Sequence, residues 1–379
     1  MAVQDTRIVC DMGSGSCGLA LWRLVSGENP EIIWSQRAPV DVPQDTELAG
    51  RVAACGTALK NLIHAAHDYI RGTHSEMGGI VGMDIVYSPN WSYISSLAIN
   101  ISRDQPFLVT ERFLTSLAER EQPKDIAGAE RTKTTFEDLR LNGYTVSDPI
   151  GKAVKQLSGY IHFTYIDSQL HGMTERMLMQ AFGHVPTIHH ASGEMLGAAY
   201  HRLTVTPAAY LGIIFVDEEI TGLYTLANRR IESQTTFPSG VRDLHRELTP
   251  TAETSSIVLS LTRLHLDKGG DPEWLSDVRS KIEKSVARWK ELCNETLAAL
   301  REHVIVPHHY FIIASEGATH IAETLNEFTS ITYAGNHQEP VEVVQGDVSL
   351  VSQKIRGDSK DPVLSLYALA CVDIAARHE

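Results

Sequence analysis

The stretch IVCDMGSGSCGLALW, Ile8–Trp22, constrains this chain more than any other. An apolar strand ends in Asp11, small residues turn the chain (Gly13, Ser14, Gly15, Ser16), and a second apolar strand leaves. Glycine lets backbone pass close to a partner, and backbone N–H groups together with serine hydroxyls can cradle phosphate oxygens. A carboxylate at a strand end can hold a magnesium ion through water. An ordinary hairpin has the same local pattern, so the rest of the chain has to decide between them.

The pattern that follows is α/β. Strands are expected at Arg7–Asp11, Cys17–Leu24 and Ile32–Ala38. A helix follows, because Leu48, Val52, Cys55, Leu59, Leu62, Ile63, Ala66 and Ile70 recur at three- and four-residue steps. Gly79–Tyr87 reads as a further strand. From Asn90 to Gly183 the texture changes to a strand (Ser96–Ser102), a helix (Thr110–Glu121), a polar loop (Gln122–Thr134), two strands around Phe136–Tyr144 and Tyr160–Ile166, and a helix (Ser168–Phe182). That segment reads as a small α+β unit inserted in a larger domain. The second half restarts with strands Val185–His189, Tyr210–Val216, Thr221–Ala227 and Arg230–Thr236, with helix Gly193–Leu203 among them. A turn at Pro238–Gly240, a long helix Pro272–His303, a strand Tyr310–Ala314, a glycine turn Ser315–Gly317, a helix Thr319–Phe328 and a last helix Pro362–Ala376 complete it. Strand, tight turn and strand occur near Asp11 and again near Asp217, which suggests two related halves facing one cleft.

Composition removes several function classes. The net charge of −14 and the lack of a basic run argue against nucleic acid as a partner, because such binding needs clustered Lys and Arg. Five scattered cysteines without a C-x-x-C pair fit reduced thiols in the cytoplasm, and Cys10 and Cys17 read as small strand residues. The amino terminus lacks a signal-peptide pattern, and no apolar run reaches the ~20 residues of a membrane-spanning helix. Histidine occurs in pairs at His64/His67, His189/His190 and His308/His309. Adjacent histidines on a strand point to opposite faces, and His64 and His67, which could share a helix face, have no third ligand beside them, so a shared metal ion is not expected. Trp22 and Trp34 read as core residues of the opening strands.

Asp11–Ser16 resembles the first phosphate loop of the actin, sugar kinase and heat-shock chaperone superfamily. More narrowly, the chain resembles the family of the bacterial cell-division protein FtsA and the type IV pilus assembly protein PilM. SGEMLGAAY (Ser192–Tyr200) resembles the connecting helix beneath the cleft, and FVDEEITGL (Phe215–Leu223) the second phosphate loop. TTFPSGVRDL (Thr235–Leu244) resembles the strand end and glycine turn, and FIIASEGATHI (Phe311–Ile321) the strand and turn that touch adenosine. Leu139–Ile166 resembles the FtsA insertion. The resemblance implies an actin-like (ribonuclease H-like) two-half fold around a nucleotide cleft, with the insertion at 90–183. The remaining divisions would be 1–89 and 361–379 in the first half and 184–360 in the second.

It also implies ATP and magnesium as ligands, with Asp11, Gly13, Ser14, Gly15 and Ser16 on one side of the phosphates. Asp217, Thr221 and Gly240 would lie on the other side, with Gly317 beside the adenosine and Asp11 and Asp217 holding magnesium through water. The implied output is polymerisation into filaments, or recruitment of protein partners through the insertion, at the cytoplasmic face of a membrane reached through a partner. The alternative is a PilM-like module holding a short peptide of a membrane partner in pilus assembly. Glu218-Glu219 stands where the family has glycine, and Val241 where it has the second glycine, so turnover is expected to be slow at most. The chain stops at Asp373–Glu379 without the FtsA membrane helix, which raises the partner-mediated reading.

Overall fold

A computed structural model describes residues 5–24, 29–40, 46–73, 78–123, 126–204, 209–248, 272–302, 304–305, 307–314, 330–332, 338–340, 342–345, 354–357 and 361–378. Two sheets of the same design make up its frame. In the first, β1 (Thr6–Met12), β2 (Ser16–Leu24) and β3 (Pro30–Pro39) run antiparallel, and β4 (Ile80–Tyr87) returns parallel to β1. Their pairing order is β3-β2-β1-β4, and a fifth strand, β9 (Thr187–Ala191), extends it parallel to β4.

The second sheet repeats this order. β10 (Tyr210–Val216), β11 (Thr221–Ala227) and β12 (Arg230–Phe237) are antiparallel, and β13 (His309–Ala314) and β16 (Glu342–Gln345) follow in parallel. β14 (Ser330–Thr332) and β15 (Gln338–Pro340) pair with each other, and β17 (Arg356–Gly357) closes the far edge of the first sheet beside β3. Helix Thr319–Phe328 and the turn at Ser315–Gly317 lie outside the described residues.

The helices follow from the alternation along each strand. β1 sends Ile8, Cys10 and Met12 to one face, where α1 (Leu48–Gly72) and α3 (Ser168–Phe182) cover them with Leu59, Leu62, Leu170 and Leu178. Val9 faces the other way, into a core shared with the second sheet. Between the sheets lie α4 (Ser192–Leu203) and α7 (Pro362–His378), so one layer of two helices serves both halves. α7 is apolar nearly all round, from Val363 to Val372, as a helix covered on both sides must be. α4 approaches the second sheet closely through small residues. A Cβ on Gly193 would lie 2.4 Å from the Tyr224 ring, and one on Gly197 2.6 Å from Leu226.

The insertion is an antiparallel sheet in the order β5-β8-β6-β7, formed by β5 (Ser92–Leu108), β6 (Ala129–Leu141), β7 (Tyr144–Thr145) and β8 (Ala153–Asp167). Its helix α2 (Glu111–Glu121) is capped by Thr110, whose hydroxyl accepts from Phe113 N–H at 3.1 Å. Leu114 and Leu117 pack onto Leu157, Ile161 and Phe163 in a core of the insertion's own. The strands are longer than expected. Residues 129–134, expected to be polar loop, form the start of β6 because they pair with β8 along a face that solvent can wet. α3 packs with α1 on the first sheet, and its amino terminus is capped by Asp167, which accepts from Gln169 and Leu170 N–H. α5 (Val241–Leu248) stands where only a turn was expected, and α6 is the long helix Pro272–Arg301.

The contact at Gly193 yields a prediction. Gly193→Val should lower unfolding stability by about 1–3 kcal/mol, as overpacking of a close helix–sheet contact does. Urea denaturation at constant slope measures it.

Candidate functional site

The β1–β2 hairpin and the β10–β11 turn meet where the two halves face each other. At the hairpin, Gly13 N–H donates to Ser16 O at 2.9 Å, and Trp91 Nε1 donates to Gly13 O at 3.0 Å. At the turn, Asp217 N–H donates to Ile220 O at 3.0 Å. The two loops then bond directly to each other. Ser14 N–H donates to Asp217 Oδ2 at 2.7 Å, and Glu219 N–H donates to Ser14 Oγ at 2.9 Å. Asp217 Oδ1 takes Glu218 N–H at 2.8 Å. Glycine makes this approach possible: a Cβ on Gly15 would lie 2.6 Å from Glu218 Cβ, and one on Gly240 2.4 Å from Asp217 O.

Guanidinium groups fasten this contact on both sides. Arg242, on the first turn of α5, donates to Gly15 O at 2.7 Å and to Val40 O at 2.8 Å, and its Nη1 reaches Glu219 Oε1 at 3.2 Å. Arg246, one turn along, bonds Glu219 Oε2 at 2.8 Å and Asp243 Oδ1 at 2.8 Å. Arg37 of β3 bonds Asp11 Oδ2 at 2.8 Å, Ser16 Oγ at 2.9 Å and Asp361 Oδ2 at 2.7 Å. Asp361 in turn caps α7 by accepting Leu364 N–H at 3.0 Å, so Arg37 ties the hairpin to the last helix.

Burial pushes the Asp11 carboxyl up to about 7; Arg37 pulls it down, while Asp217 and Asp361 push it further up. Its Oδ1 is buried without a hydrogen-bond partner among the described residues. Arg37 itself is held well above its usual range: burial works against its charge, and Asp361 and Asp11 outweigh that.

The structure thus brings Asp11, Gly13, Ser14, Gly15, Ser16, Asp217 and Gly240 together. Thr221 is buried within the second half, where its hydroxyl donates to Ser239 O at 2.7 Å and accepts from Trp289 Nε1 at 2.8 Å. Gly317 lies outside the described residues. Of the carboxylates assigned to magnesium, Asp217 is engaged with two amides and Asp11 with Arg37 through Oδ2, its Oδ1 having no hydrogen-bond partner among the described residues. Arg37, Arg242 and Arg246 were not singled out from the sequence. A signal existed for two of them: Arg242 and Arg246 are four residues apart on one helix face, matched in charge to Glu218-Glu219. As they stand, these residues do not fit ATP with magnesium, because the groups that would meet the phosphates meet each other.

Sheet order and direction are duplicated in the two halves, and a shared helical layer and a meeting pair of loops lie between them. The chain superimposes on the structure described as the PilM–PilN type IV pilus biogenesis complex, with a TM-score of 0.59 at 13% identity, covering 99% of each chain. The fold is actin-like. Similarity extends more weakly to a Bacteroides thetaiotaomicron protein described as having an actin-like ATPase fold and unknown function (TM-score 0.39, 8% identity, 90% and 91% of the chains). It also extends to the ethanolamine utilization protein EutJ of Carboxydothermus hydrogenoformans (TM-score 0.42, 7% identity, 97% and 92%). No family model matches the sequence. No curated protein matches it either.

In this actin-like frame the insertion is joined to the second half by polar contacts. Ser96 Oγ lies 2.7 Å from His162 Nδ1 and donates to Ile231 O at 2.6 Å. Arg230 stacks on Tyr160, 3.4 Å from the ring centroid, and bonds Asp138 at 2.8 Å. Glu194 of α4 accepts from Thr164 at 3.0 Å and pairs with Lys133 at 3.4 Å. Burial, and then the Arg230 charge, push the His162 imidazole down to about 4.

Two predictions follow from these contacts. Arg37→Met should cost about 3–5 kcal/mol in chemical denaturation, since it strands two buried carboxylates, and adding Asp11→Asn should restore part of the loss. For His162, the unfolded chain takes up a proton near pH 6.5 and the fold only near pH 4. Its contribution is therefore complete above pH 6.5 and is lost as pH falls towards 4. His162→Gln should flatten the fall of melting temperature across that window, leaving a residual slope from His189, which burial and then His171 hold near 3.

Proposed function

We propose that this chain is an actin-fold binding module of the PilM kind, which holds a short segment of a membrane-anchored partner at the cytoplasmic face and works by recruitment. The observation that carries this reading is the superposition on the PilM–PilN complex over 99% of both chains, a span that takes in the insertion. No helix among the described residues is long and apolar enough to cross a membrane.

The root of the insertion supplies a place for such a segment. A groove of about 350 Å³ runs between the ends of β5 and β8 and the strand β12, lined by Trp91, Tyr93, Tyr165, Gln234 and Thr236. β12 is an edge strand of the second sheet; β5 lies against it through Ser96 and Ile231, and the stretch Gln234–Thr236 faces the groove, where an extended peptide can add alongside it. Tyr93 is exposed, its ring backed by buried Tyr165 with centroids 6.4 Å apart, and offers an apolar face for the peptide's side chains.

The rival reading is FtsA-like self-association into filaments. It is favoured by the exposed apolar residues Leu108, Tyr144 and Ile150 at the far end of the insertion. ATP as a structural ligand, implied by the resemblance, would require the two loops to part. A photo-crosslinker at Tyr93 separates the docking reading from its rival. The expected product is a heterologous adduct with a membrane protein, mapped to a segment on the cytoplasmic side of its span. Tyr93→Glu should reduce co-purification of that same protein at least tenfold, consistent with loss of an aromatic anchor. Crosslinking of the chain to its own copies from both Tyr93 and Tyr144, with concentration-dependent sedimentation, would overturn the docking reading in favour of filaments.

A further inference from the structure

The meeting of the two loops disagrees with what an actin-like fold leads one to expect there. We propose that the cleft of this chain is clasped by its own side chains, with the Asp217 carboxylate and the Arg242 guanidinium doing the joining that a nucleoside triphosphate with magnesium would otherwise do, and that the chain takes no such ligand between these loops. The proposal stands apart from the docking reading, and failure of either test leaves the other undecided.

The first support is chemical. A phosphate loop binds an anion by presenting N–H and O–H groups to it. Here Ser14 N–H already has an anion, since Asp217 Oδ2 accepts from it at 2.7 Å. The Ser14 and Ser16 hydroxyl oxygens accept from Glu219 N–H and Arg37 Nη1, which ties both side chains to protein groups while each keeps its O–H to donate, so the donor taken up is the Ser14 amide. An intramolecular carboxylate fixed at this distance carries none of the ordering cost that a free ligand carries, so it competes well for the same donor.

The second support is steric. Gly15 stands so close to the second loop that a single added carbon would fall 2.6 Å from Glu218 Cβ and 3.1 Å from Arg242 Nε. A phosphate group is larger than that carbon. Gly240, which the resemblance places beside the phosphates, is instead packed against the Asp217 and Glu218 carbonyls, 2.4 and 2.5 Å from where its Cβ would be. The glycines that would admit a ligand serve here to bring protein against protein.

The third support is electrostatic. Asp11, Asp217, Glu218, Glu219, Asp243 and Asp361 surround the contact, against the three guanidiniums of Arg37, Arg242 and Arg246. Each guanidinium already has carboxylate partners, so adding a polyphosphate would bring like charge to a site of excess negative charge. A magnesium ion would meet Asp217 with Oδ2 already held by the Ser14 amide and Oδ1 by the Glu218 amide, and Asp11 with Oδ2 already on Arg37, which leaves it Asp11 Oδ1 from this pair.

The test follows the clasp itself. The purified full chain is titrated with ATP–magnesium, ADP–magnesium and magnesium alone by calorimetry. Amide exchange is followed at Ser14 and Glu219, with and without each. The proposal expects no saturable heat, and slow exchange at both amides that nucleotide leaves unchanged. Arg242→Lys keeps the charge but loses the two-pronged hold on the Gly15 and Val40 carbonyls, so exchange at both amides should quicken roughly tenfold, again without response to nucleotide. Saturable ATP–magnesium binding to the unaltered chain would overturn the proposal, as would protection of Ser14 and Glu219 that appears only with nucleotide. Exchange in Arg242→Lys equal to that of the unaltered chain would overturn the role given to Arg242.

Discussion

The bond from Ser14 N–H to the Asp217 carboxylate joins the two halves at their most polar point, and the surrounding structure is arranged so that it can form. Two strands must end at the same place for the loops to meet, which requires the two sheets to hold a fixed angle. The layer of α4 and α7 between them sets that relation, because both helices are packed on both sides and cannot shift without opening a core. Arg37 carries the constraint further by linking Asp11 on β1 to Asp361 at the start of α7.

Burying so many ionised groups is costly unless each is paired, and the pairing here is dense. Three guanidiniums bind five carboxylates, and two of them also bond backbone carbonyl or serine oxygens. A network of this kind contributes little to net stability relative to apolar packing, but removing one member leaves its partners stranded. It therefore specifies one arrangement of the halves more than it strengthens it. The insertion relates to the frame differently. It has a core of its own and reaches the second half through Ile94 in the shared core and through polar contacts of Ser96, Lys133, Thr164 and Tyr160 with Ile231, Glu194 and Arg230.

Much of the frame could be read from the residues. The strands of both halves fall close to where alternation and runs of apolar residues put them, and the repeated strand, turn and strand near Asp11 and Asp217 corresponds to two sheets of identical order. Cys10, Cys17 and Trp22 are buried in those strands as their apolar neighbours suggest. The lengths of β5, β6 and β8 were not legible, because a sheet wet on one face alternates polar residues that also suit a loop. α5 was missed for a related reason: VRDLHREL carries few apolar residues, and beside the buried Val241 its hold on the two loops comes from Arg242 and Arg246.

The sequence by itself determined that Asp11–Ser16 and Asp217–Glu219 would be strand-end loops rich in polar groups, since small residues and carboxylates between apolar runs can do little else. It also determined, through order and spacing, that they would belong to related halves. Only the tertiary structure decided what those polar groups bind. A loop amide is equally ready to meet a phosphate or a carboxylate, and the choice depends on what stands a few ångströms away in a distant segment, 203 residues along the chain from Ser14 to Asp217. The pairing of Arg37 with Asp361 is of the same kind, because local pattern carries no information about a partner brought in by packing.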